Sequence, residues 1–329
     1  MAISVTVTAP SRLHFGLMQL SRSYSNTYGG FGAALSEPHW CIEASVKQGT
    51  TQQIDGLCEE HERYALGVLS RLQERLAMES LSITVHSSVP PHVGLGSKTS
   101  LGNALLAAGT MIAGRKGGRT THQYLLERGG ASGIGVNCLE AGGFILDAGH
   151  QFTVSSELLP SGAQRPAELP AIVGRWPTDS VCVLLARAPG SVGLYADAEV
   201  EFWAKNTPMS QESSSTTAAI LMYEILPGLA RQNSQQWSFG LNQLQEVGFK
   251  AREWTLQSPE TKQIRDGAYA AGASTVALSG MGPTLAIFGE DLAAVSTKLR
   301  ERLNPILLLS RLTDLGVSVE RSPRSRVHG

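Results

Sequence analysis

Cysteine is scarce in this sequence, and neither sign of charge is in excess. The 329 residues include only four cysteines, at positions 41, 58, 138 and 182, with no Cys-x-x-Cys pair and no clustered histidines. We therefore expect ordinary buried thiols in a reducing cytoplasm, rather than a disulfide framework or a zinc site. The 27 basic and 28 acidic side chains give a formal net charge of -1, so no overall field is available to hold nucleic acid or an anionic membrane. Any anion site has to be local.

Long hydrophobic runs are also missing. The longest mostly apolar stretch, at 104–114, is about half of the ~20 residues that a membrane-spanning helix needs. The first ten residues, MAISVTVTAP, alternate as a strand does and lack the basic head and apolar run of a signal peptide. We therefore expect a cytoplasmic protein without a membrane partner. Because 42% of the residues are apolar and 17% are charged, the chain is expected to bury a sizeable core.

Glycine, in contrast, is abundant. There are 35 glycines among 329 residues, about 11% against a typical ~7%. With 15 prolines and no repeat, a collagen-like structure is excluded. An excess of glycine in a compact chain indicates tight turns and places where the backbone comes close to a neighbour.

Apolar residues recur with helical or strand spacing through most of the chain. Strands are predicted at 3–8, 42–46, 81–86, 142–147, 181–188, 274–278, 284–288 and 317–320. Helices are predicted at 59–78, 97–113, 194–205, 215–225, 237–254, 260–271 and 291–303. The segment 155–179 has no clear period and is predicted to be a boundary, and the tail from residue 321 is expected to be frayed. Strands and helices in both halves indicate an α+β fold with two domains, 1–175 and 176–329.

The segment PPHVGLGSKTS, at 90–100, has the strongest pattern for anion binding. Gly94 and Gly96 allow a sharp turn with exposed amides, and the helix that follows presents unpaired N–H groups and a partial positive charge. Ser97 and Thr99 add hydroxyl groups, and Lys98 adds a charge. The spacing is not that of a Walker loop. An alternative is a plain helix cap, in which Ser97 satisfies N–H groups and Lys98 is solvated.

Three further segments are weaker candidates. The turn SGMGP contains Gly280 and Gly282 and lies between two predicted strands, where a hairpin turn is the alternative. The cluster YGGFG at 28–32 fits a flexible loop equally well. In SRLHFG, Arg12 and His14 share a face if the first strand continues, as an anion-binding pair requires, and an exposed arginine beside an ordinary histidine is the alternative.

The order of these motifs resembles that of the GHMP kinase superfamily, which includes galactokinase and the homoserine, mevalonate and phosphomevalonate kinases. The four segments that carry the resemblance are APSRLHFG, PPHVGLGSKTSLGNALLAAG, SGIGVNCLEAGG and SGMGPTLAIFG. The resemblance implies a ribosomal S5 domain 2-like N-terminal domain and a ferredoxin-like C-terminal domain. Within the superfamily, SRLHFGLMQL, YGGFGAALSEP and RGGASGIGVNCLEAGGFILDAGH resemble the β-ribofuranosylaminobenzene 5′-phosphate synthases.

One position departs from the kinase pattern. Mevalonate-type kinases have a Ser-Gly-x-Asp segment before a Gly-Gly pair, and the aspartate acts on the substrate hydroxyl. The segment SGIG at 132–135 lies at the matching spacing from Gly142 and Gly143, so Gly135 occupies the aspartate position. A glycine can neither accept a proton nor orient a hydroxyl group by charge. This difference favours the synthase over a kinase.

The resemblance implies an enzyme that joins phosphoribosyl pyrophosphate to 4-aminobenzoate or 4-hydroxybenzoate, releases carbon dioxide and pyrophosphate, and serves methanopterin biosynthesis. It implies a Mg²⁺ ion and local sites for two phosphate-bearing groups. An ATP-dependent kinase and a non-catalytic binding protein of the same fold are the alternatives. A homodimer is the default assembly.

The implied roles of the candidate residues follow. Gly94, Gly96, Ser97, Lys98 and Thr99 bind the pyrophosphate, and Gly280 and Gly282 close over it or over the 5′-phosphate. Arg12 grips a carboxylate or a phosphate, and His14 donates to the same anion. Asp147 orients a ribose hydroxyl group or helps to hold magnesium, with a turn carboxylate that caps amides as the alternative. Ser97 and Glu199 are the candidate magnesium ligands, Glu201 is a further one, and a solvated helix face is the alternative for both glutamates.

Overall fold

A computed structural model describes residues 4–47, 49, 52–115, 125–151, 157–164, 168–178 and 181–321. Its first sheet is built on two long antiparallel strands, β1 (Ser4–Gln19) and β2 (Asn26–Val46). The next strands of this sheet are β3 (Gln53–Asp55), β4 (Leu81–Ser87), β5 (Phe144–Asp147), β6 (His150–Gln151) and β7 (Ile172–Trp176). Strand β2 lies at the centre and pairs with β1, β4, β5 and β6.

Both long strands extend well beyond their predicted ends. Strand β1 continues through the segment SRLHFG, with register irregularities after Pro10 and after His14. Strand β2 includes the YGGFG cluster, so the loop alternative is wrong for 28–32. A side chain at Gly32 would place its Cβ 2.3 Å from the carbonyl oxygen of Leu13, and one at Gly30 would lie 2.2 Å from Ser132 Oγ. Glycine is needed here because neighbouring chain approaches the strand closely.

Helices cover the first sheet. They are α1 (Glu59–Leu76), α2 (Ser97–Ile112) and α3 (Ile134–Ala141). The 3.6-residue spacing predicted α1 and α2 within two residues at each end, and α3 was not predicted. Helix α2 is buried along most of its length because its residues are small or apolar, and α1 buries one stripe against it.

The second sheet contains β8 (Cys182–Arg187), β9 (Thr275–Leu278), β10 (Leu285–Phe288) and β11 (Ile306–Arg311). All its pairs are antiparallel and its order is β11-β8-β10-β9, the order of the ferredoxin-like βαββαβ unit. Between β8 and β9 lie α4 (Ala196–Asn206), α5 (Gln211–Ile220), a π-helical turn (Leu221–Ile225), α6 (Leu226–Ala230), α7 (Ser234–Gln245), α8 (Gly248–Thr255) and α9 (Pro259–Ala271). Helix α10 (Leu292–Leu303) joins β10 to β11.

The single helix predicted at 237–254 is wrong. The chain breaks between α7 and α8, where Val247 is extended with a φ of −126°, and Gly248 then begins α8 with a φ of +59° and lies against Thr217. An extended residue interrupts the helical hydrogen-bond pattern, and the sequence does not reveal this break because the apolar spacing continues on both sides of it.

The last strand returns to the first sheet. Strand β12 (Ser318–Arg321) pairs antiparallel with the start of β1, and one hydrophobic core extends across both halves through contacts such as Trp237 against Phe144 and Phe288. The α+β fold class is confirmed, and the division at 175/176 stays a prediction. Strand β7 lies within the predicted boundary 155–179, of which 155–156, 165–167 and 179 lie outside the described residues, as does the tail 322–329. No helix in the described part of the chain is long and apolar enough to cross a membrane.

Candidate active site

A cavity of about 270 Å³ opens where β1 meets two glycine-rich turns. We call residues 92–97 the first glycine loop and residues 279–283 the second glycine loop. The candidate residues that line the cavity are Arg12, His14, Gly94, Gly96, Ser97, Lys98, Thr99, Glu199, Gly280 and Gly282. Of the predicted site residues, Asp147 and Glu201 do not line it. Segments almost 270 residues apart in sequence are thus gathered around one space.

Direct hydrogen bonds join the two loops to each other and to β1. Ser279 Oγ donates to the carbonyl oxygen of Gly94 over 2.8 Å, and Arg12 Nη1 donates to the same oxygen. The amide of Gly280 donates to the carbonyl oxygen of His14 over 2.7 Å. Gly94 has a φ of +80°, and a Cβ there would lie 2.3 Å from the carbonyl oxygen of Ser279. The close approach of the loops therefore requires glycine at this position.

Two helices begin at the cavity. The first intrahelical amide donors are Ser100 in α2 and Asn137 in α3, so the amides of Ser97, Lys98 and Thr99 have no partner within α2. Gly135, in the first turn of α3, also lines the cavity. Unpaired amides and the positive ends of two helix dipoles form an environment that favours anions.

Lys98 is not simply solvated. Its Nζ lies 2.5 Å from Glu60 Oε1, and His92 Nε2 lies 2.6 Å from Glu60 Oε2. Burial opposes ionisation of Glu60, but the hydrogen bonds from Lys98 and His92 hold its pKa below the usual value. Glu60 therefore competes with any anion for Lys98. Sequence reasoning missed Glu60 because it lies in the acidic first turn of α1, a common surface feature.

Ser97 is held from two sides. Its Oγ lies 3.1 Å from His61 Nε2, and its carbonyl oxygen accepts a hydrogen bond of 3.0 Å from Trp40 Nε1. Burial lowers the pKa of His61, which favours the neutral imidazole. Glu199 also lines the cavity, and burial raises its pKa to about 7. Within the described ranges, no three His, Cys, Asp or Glu side chains are grouped to hold a metal ion.

Arg12 and His14 lie side by side at the cavity. Burial lowers the pKa of Arg12 to about 10, so the guanidinium is still charged at neutral pH. Its Nε, and the Nδ1 of His14, are buried without a hydrogen-bond partner among the described residues. Burial, with the charges of Arg12 and Lys250, lowers the pKa of His14 well below 6.5. His14 is therefore a neutral imidazole, which can meet an anion only through an N–H group.

Asp147 lies at the end of β5 and is fully buried. Its carboxylate accepts hydrogen bonds from the amides of Gly133 (3.0 Å) and Gly149 (2.9 Å) and from Ser132 Oγ (3.2 Å). Burial raises its pKa to about 7, against the effect of these donors. This geometry matches the alternative role, a turn carboxylate that caps amides, and it supports the turn that leads into α3.

A buried ion pair beneath the second glycine loop was missed. Lys250 Nζ contacts Glu253 and donates to the carbonyl oxygens of Gly280 (2.8 Å) and Leu278 (3.3 Å). Glu253 also lines the cavity, and Gln257 Nε2 donates to the carbonyl oxygen of Met281 over 3.1 Å. The only sequence signal was a pair of opposite charges three residues apart among the apolar residues of α8, which is also common on helix surfaces.

The kinase-type aspartate position lies at the same cavity. A Cβ at Gly135 would lie 3.2 Å from Thr99 Cγ2, directly beside the first turn of α2. The structure therefore has backbone rather than a carboxylate at Gly135, next to the hydroxyl-bearing side chain of Thr99, and its match to the kinase aspartate position stays a prediction.

The family model "GHMP kinases N terminal domain" matches residues 63–143. The chain is 30% identical over 318 residues to the beta-ribofuranosylphenol 5'-phosphate synthase of Methanothermobacter thermautotrophicus, covering 93% of this chain and 95% of that one. Identity to the protein of the same name from Methanocaldococcus jannaschii is 29% over 300 residues, covering 86% and 89%. The crystal structure of homoserine kinase from Cytophaga hutchinsonii superposes with a TM-score of 0.65 at 16% identity, covering 96% and 97%, which shows a shared fold.

Proposed function

Because the chain belongs to the family of the beta-ribofuranosylphenol 5'-phosphate synthases within the GHMP superfamily, we propose that it joins phosphoribosyl pyrophosphate to a 4-substituted benzoate. The relatives' name contains a phenol, which corresponds to 4-hydroxybenzoate as the acceptor, and 4-aminobenzoate is the second substrate to test. The ring carbon that bears the carboxylate bonds to the anomeric carbon as pyrophosphate leaves. Carbon dioxide then leaves with its bonding electrons returned to the ring. Methanopterin-type biosynthesis is the pathway that we propose.

The observation that carries this proposal is the gathering of both glycine loops, two helix N-termini and Arg12 around one cavity. The leaving pyrophosphate concentrates negative charge, and free amides held in place stabilise it without reorganisation. We assign the pyrophosphate to the amides of Gly96, Ser97 and Thr99. Lys98 then leaves Glu60 and pairs with the pyrophosphate. The second glycine loop is assigned to the 5′-phosphate.

Arg12 and His14 complete the anion site in this proposal. Arg12 retains unbonded donor capacity because its Nε has no partner among the residues described, and a guanidinium grips phosphate or carboxylate through several N–H groups. His14, as a neutral imidazole, contributes one N–H hydrogen bond. Both groups are fixed by β1, so alignment of the reacting carbons does not depend on a mobile segment.

We keep Mg²⁺ in the proposal as an ion bound chiefly through the pyrophosphate. Magnesium in phosphate sites commonly takes one or two protein oxygens together with substrate phosphates and water. The protein donors expected for it are limited, because Ser97 Oγ is engaged by His61 and no group of three metal-binding side chains occurs within the described ranges. When bound, the ion would neutralise charge on the leaving group. The cytoplasmic location and the homodimer also stay proposals.

One assay tests the function. The full chain is incubated with phosphoribosyl pyrophosphate and each benzoate, and separately with ATP and small alcohol or sugar acceptors. Release of carbon dioxide and pyrophosphate is the expected result. Formation of ADP without decarboxylation would replace the synthase by a kinase, and a thermal shift without turnover in either assay would leave a binding protein.

Lys98→Ala tests the assignment of the first glycine loop. We expect binding of phosphoribosyl pyrophosphate to weaken more than binding of the benzoate, because Lys98 lies at the helix start that faces the phosphate. An equal loss for both substrates, measured by titration calorimetry, would contradict the assignment.

A further inference from the structure

The cavity has one apolar side. Leu17 of β1, Trp203 of α4 and Met281 of the second glycine loop line it and belong to one hydrophobic cluster, which we call the apolar wall. Trp203 is only 3% exposed and packs against Phe249, with ring centroids 4.8 Å apart. Packing against Phe249 therefore holds the Trp203 ring in place. The apolar wall differs from the amides and cations that line the opposite side of the cavity. A phosphorylated sugar would gain little binding energy from apolar contacts of this kind.

Glu199 lies next to this wall. Glu199 and Trp203 are four residues apart on α4, so they share a face of the helix, and both line the cavity. Arg128, Glu253 and Lys98 are the charged groups whose fields reach it. The Glu199 carboxylate makes no hydrogen bond or ion pair with any other residue that the structure describes, whereas the carboxylate of Glu253, the other acidic residue of the lining, is paired with Lys250.

We propose that the apolar wall holds the aromatic ring of the benzoate and that Glu199 accepts a hydrogen bond from its para hydroxyl or amino group. The inference rests on the proposed function for the identity of the ligand. A ring has two apolar faces for Trp203, Leu17 and Met281 to cover, and both para substituents carry a proton to donate. The ionised carboxylate only accepts hydrogen bonds, so above the Glu199 pKa of about 7 it binds both donors and leaves a para methoxy or unsubstituted ring without a partner.

This arrangement makes Glu199 a specificity-determining residue. A site built to pair with a substrate hydroxyl or amino group discriminates strongly against the analogue that lacks it, because its polar group then stays desolvated and unpaired. The assignment also separates Glu199 from the pyrophosphate and from magnesium. A metal ligand would alter the Mg²⁺ requirement, and an acceptor for the ring substituent would not.

The experiment compares Glu199→Leu and Glu199→Gln with the matched control Glu201→Leu. Glu201 lies on the same helix but is exposed and paired with Lys205 over 2.7 Å. Binding of 4-hydroxybenzoate, 4-aminobenzoate, 4-methoxybenzoate and benzoate is measured by calorimetry, together with KM for phosphoribosyl pyrophosphate and the Mg²⁺ dependence of turnover.

We expect the unchanged chain and Glu201→Leu to bind both para donors about ten-fold or more tightly than the other two benzoates. Glu199→Leu abolishes this preference, and Glu199→Gln, which keeps an acceptor oxygen, restores part of it. KM for phosphoribosyl pyrophosphate and the Mg²⁺ dependence change less than about two-fold in Glu199→Gln. A preference that survives Glu199→Leu, or a raised Mg²⁺ requirement in Glu199→Gln, would overturn the proposal.

The outcomes for the two proposals differ. Selective binding of para donors without carbon dioxide release keeps the Glu199 assignment and rejects the synthase. Turnover with an unchanged preference in Glu199→Leu keeps the synthase and rejects the assignment. If the unchanged chain binds none of the four benzoates, both are rejected.

Discussion

Replacing Lys250 by methionine should destabilise the chain by about 3–5 kcal/mol. The side chains of Lys250 and Glu253 are only 2% and 5% exposed, and the pair lies directly beneath the second glycine loop. Methionine fills a volume similar to that of lysine, so the lost stability comes from electrostatics and not from a cavity. The substitution leaves the buried Glu253 carboxylate without its cation, and the carbonyl oxygens of Gly280 and Leu278 lose a charged donor. A typical domain has a total stability of roughly 5–15 kcal/mol, so a loss of this size is easily measured.

The double variant Lys250→Met/Glu253→Leu separates stability from function. Removing both charges avoids the unpaired carboxylate, and such replacements are often neutral or stabilising, so most of the lost stability should return. The carbonyl oxygens of Gly280 and Leu278 still lack their donor, so the second glycine loop stays loosened. We therefore expect weakened binding of phosphoribosyl pyrophosphate to persist in the double variant.

Urea unfolding and titration calorimetry provide the two measurements. Lys205→Met is the matched control, because its pair with Glu201 is about 70% exposed and screened by water, so its loss should leave the stability almost unchanged. If Lys250→Met loses less than about 1 kcal/mol, or if the double variant is as unstable as the single one, the reasoning about a desolvated pair is refuted.

Three further predictions concern the first glycine loop and Asp147. Glu60→Gln should tighten pyrophosphate binding by up to about five-fold, because the Lys98–Glu60 pair is one-third exposed and contributes at most ~1 kcal/mol to holding Lys98 away from the ligand. Weaker binding in calorimetry would contradict this and would mean that Glu60 positions Lys98 for the ligand. Gly94→Ala should weaken the same binding by about ten-fold or more through the clash between the loops, whereas Gly162→Ala, with open space at the same cavity, should change it less than about two-fold. Burial raises the folded-state pKa of Asp147 to about 7, so the folded chain binds this proton more tightly than the unfolded chain does. The resulting stabilisation, roughly 4 kcal/mol, is complete below about pH 4 and is lost as the pH rises through 7. Asp147→Asn should flatten that part of the stability curve in urea unfolding, and an unchanged slope between pH 4 and 7 would contradict the assignment.

Local sequence patterns predicted many elements of the fold and several segments of the candidate site. Helices α1 and α2 follow from apolar spacing, and the two glycine loops follow from Gly-x-Gly patterns, because these signals need only a few neighbouring residues. The superfamily also followed from motif order and is confirmed by the matching family model and relatives. Most of β2, at 26–41, was missed, because its glycines are required by close contacts with segments that lie far away in sequence.

The sequence by itself predicted which residues could bind anions and that Gly135 occupies the position of the kinase-type carboxylate, because backbone freedom, charge and hydroxyl chemistry belong to each residue type. Only the tertiary structure decided how those groups are used. It pairs Lys98 with Glu60, turns the Asp147 carboxylate towards backbone amides, and buries Lys250 beneath the second glycine loop. Ion pairing and desolvation depend on distances between segments that the chain brings together only on folding, so no local pattern can reveal them.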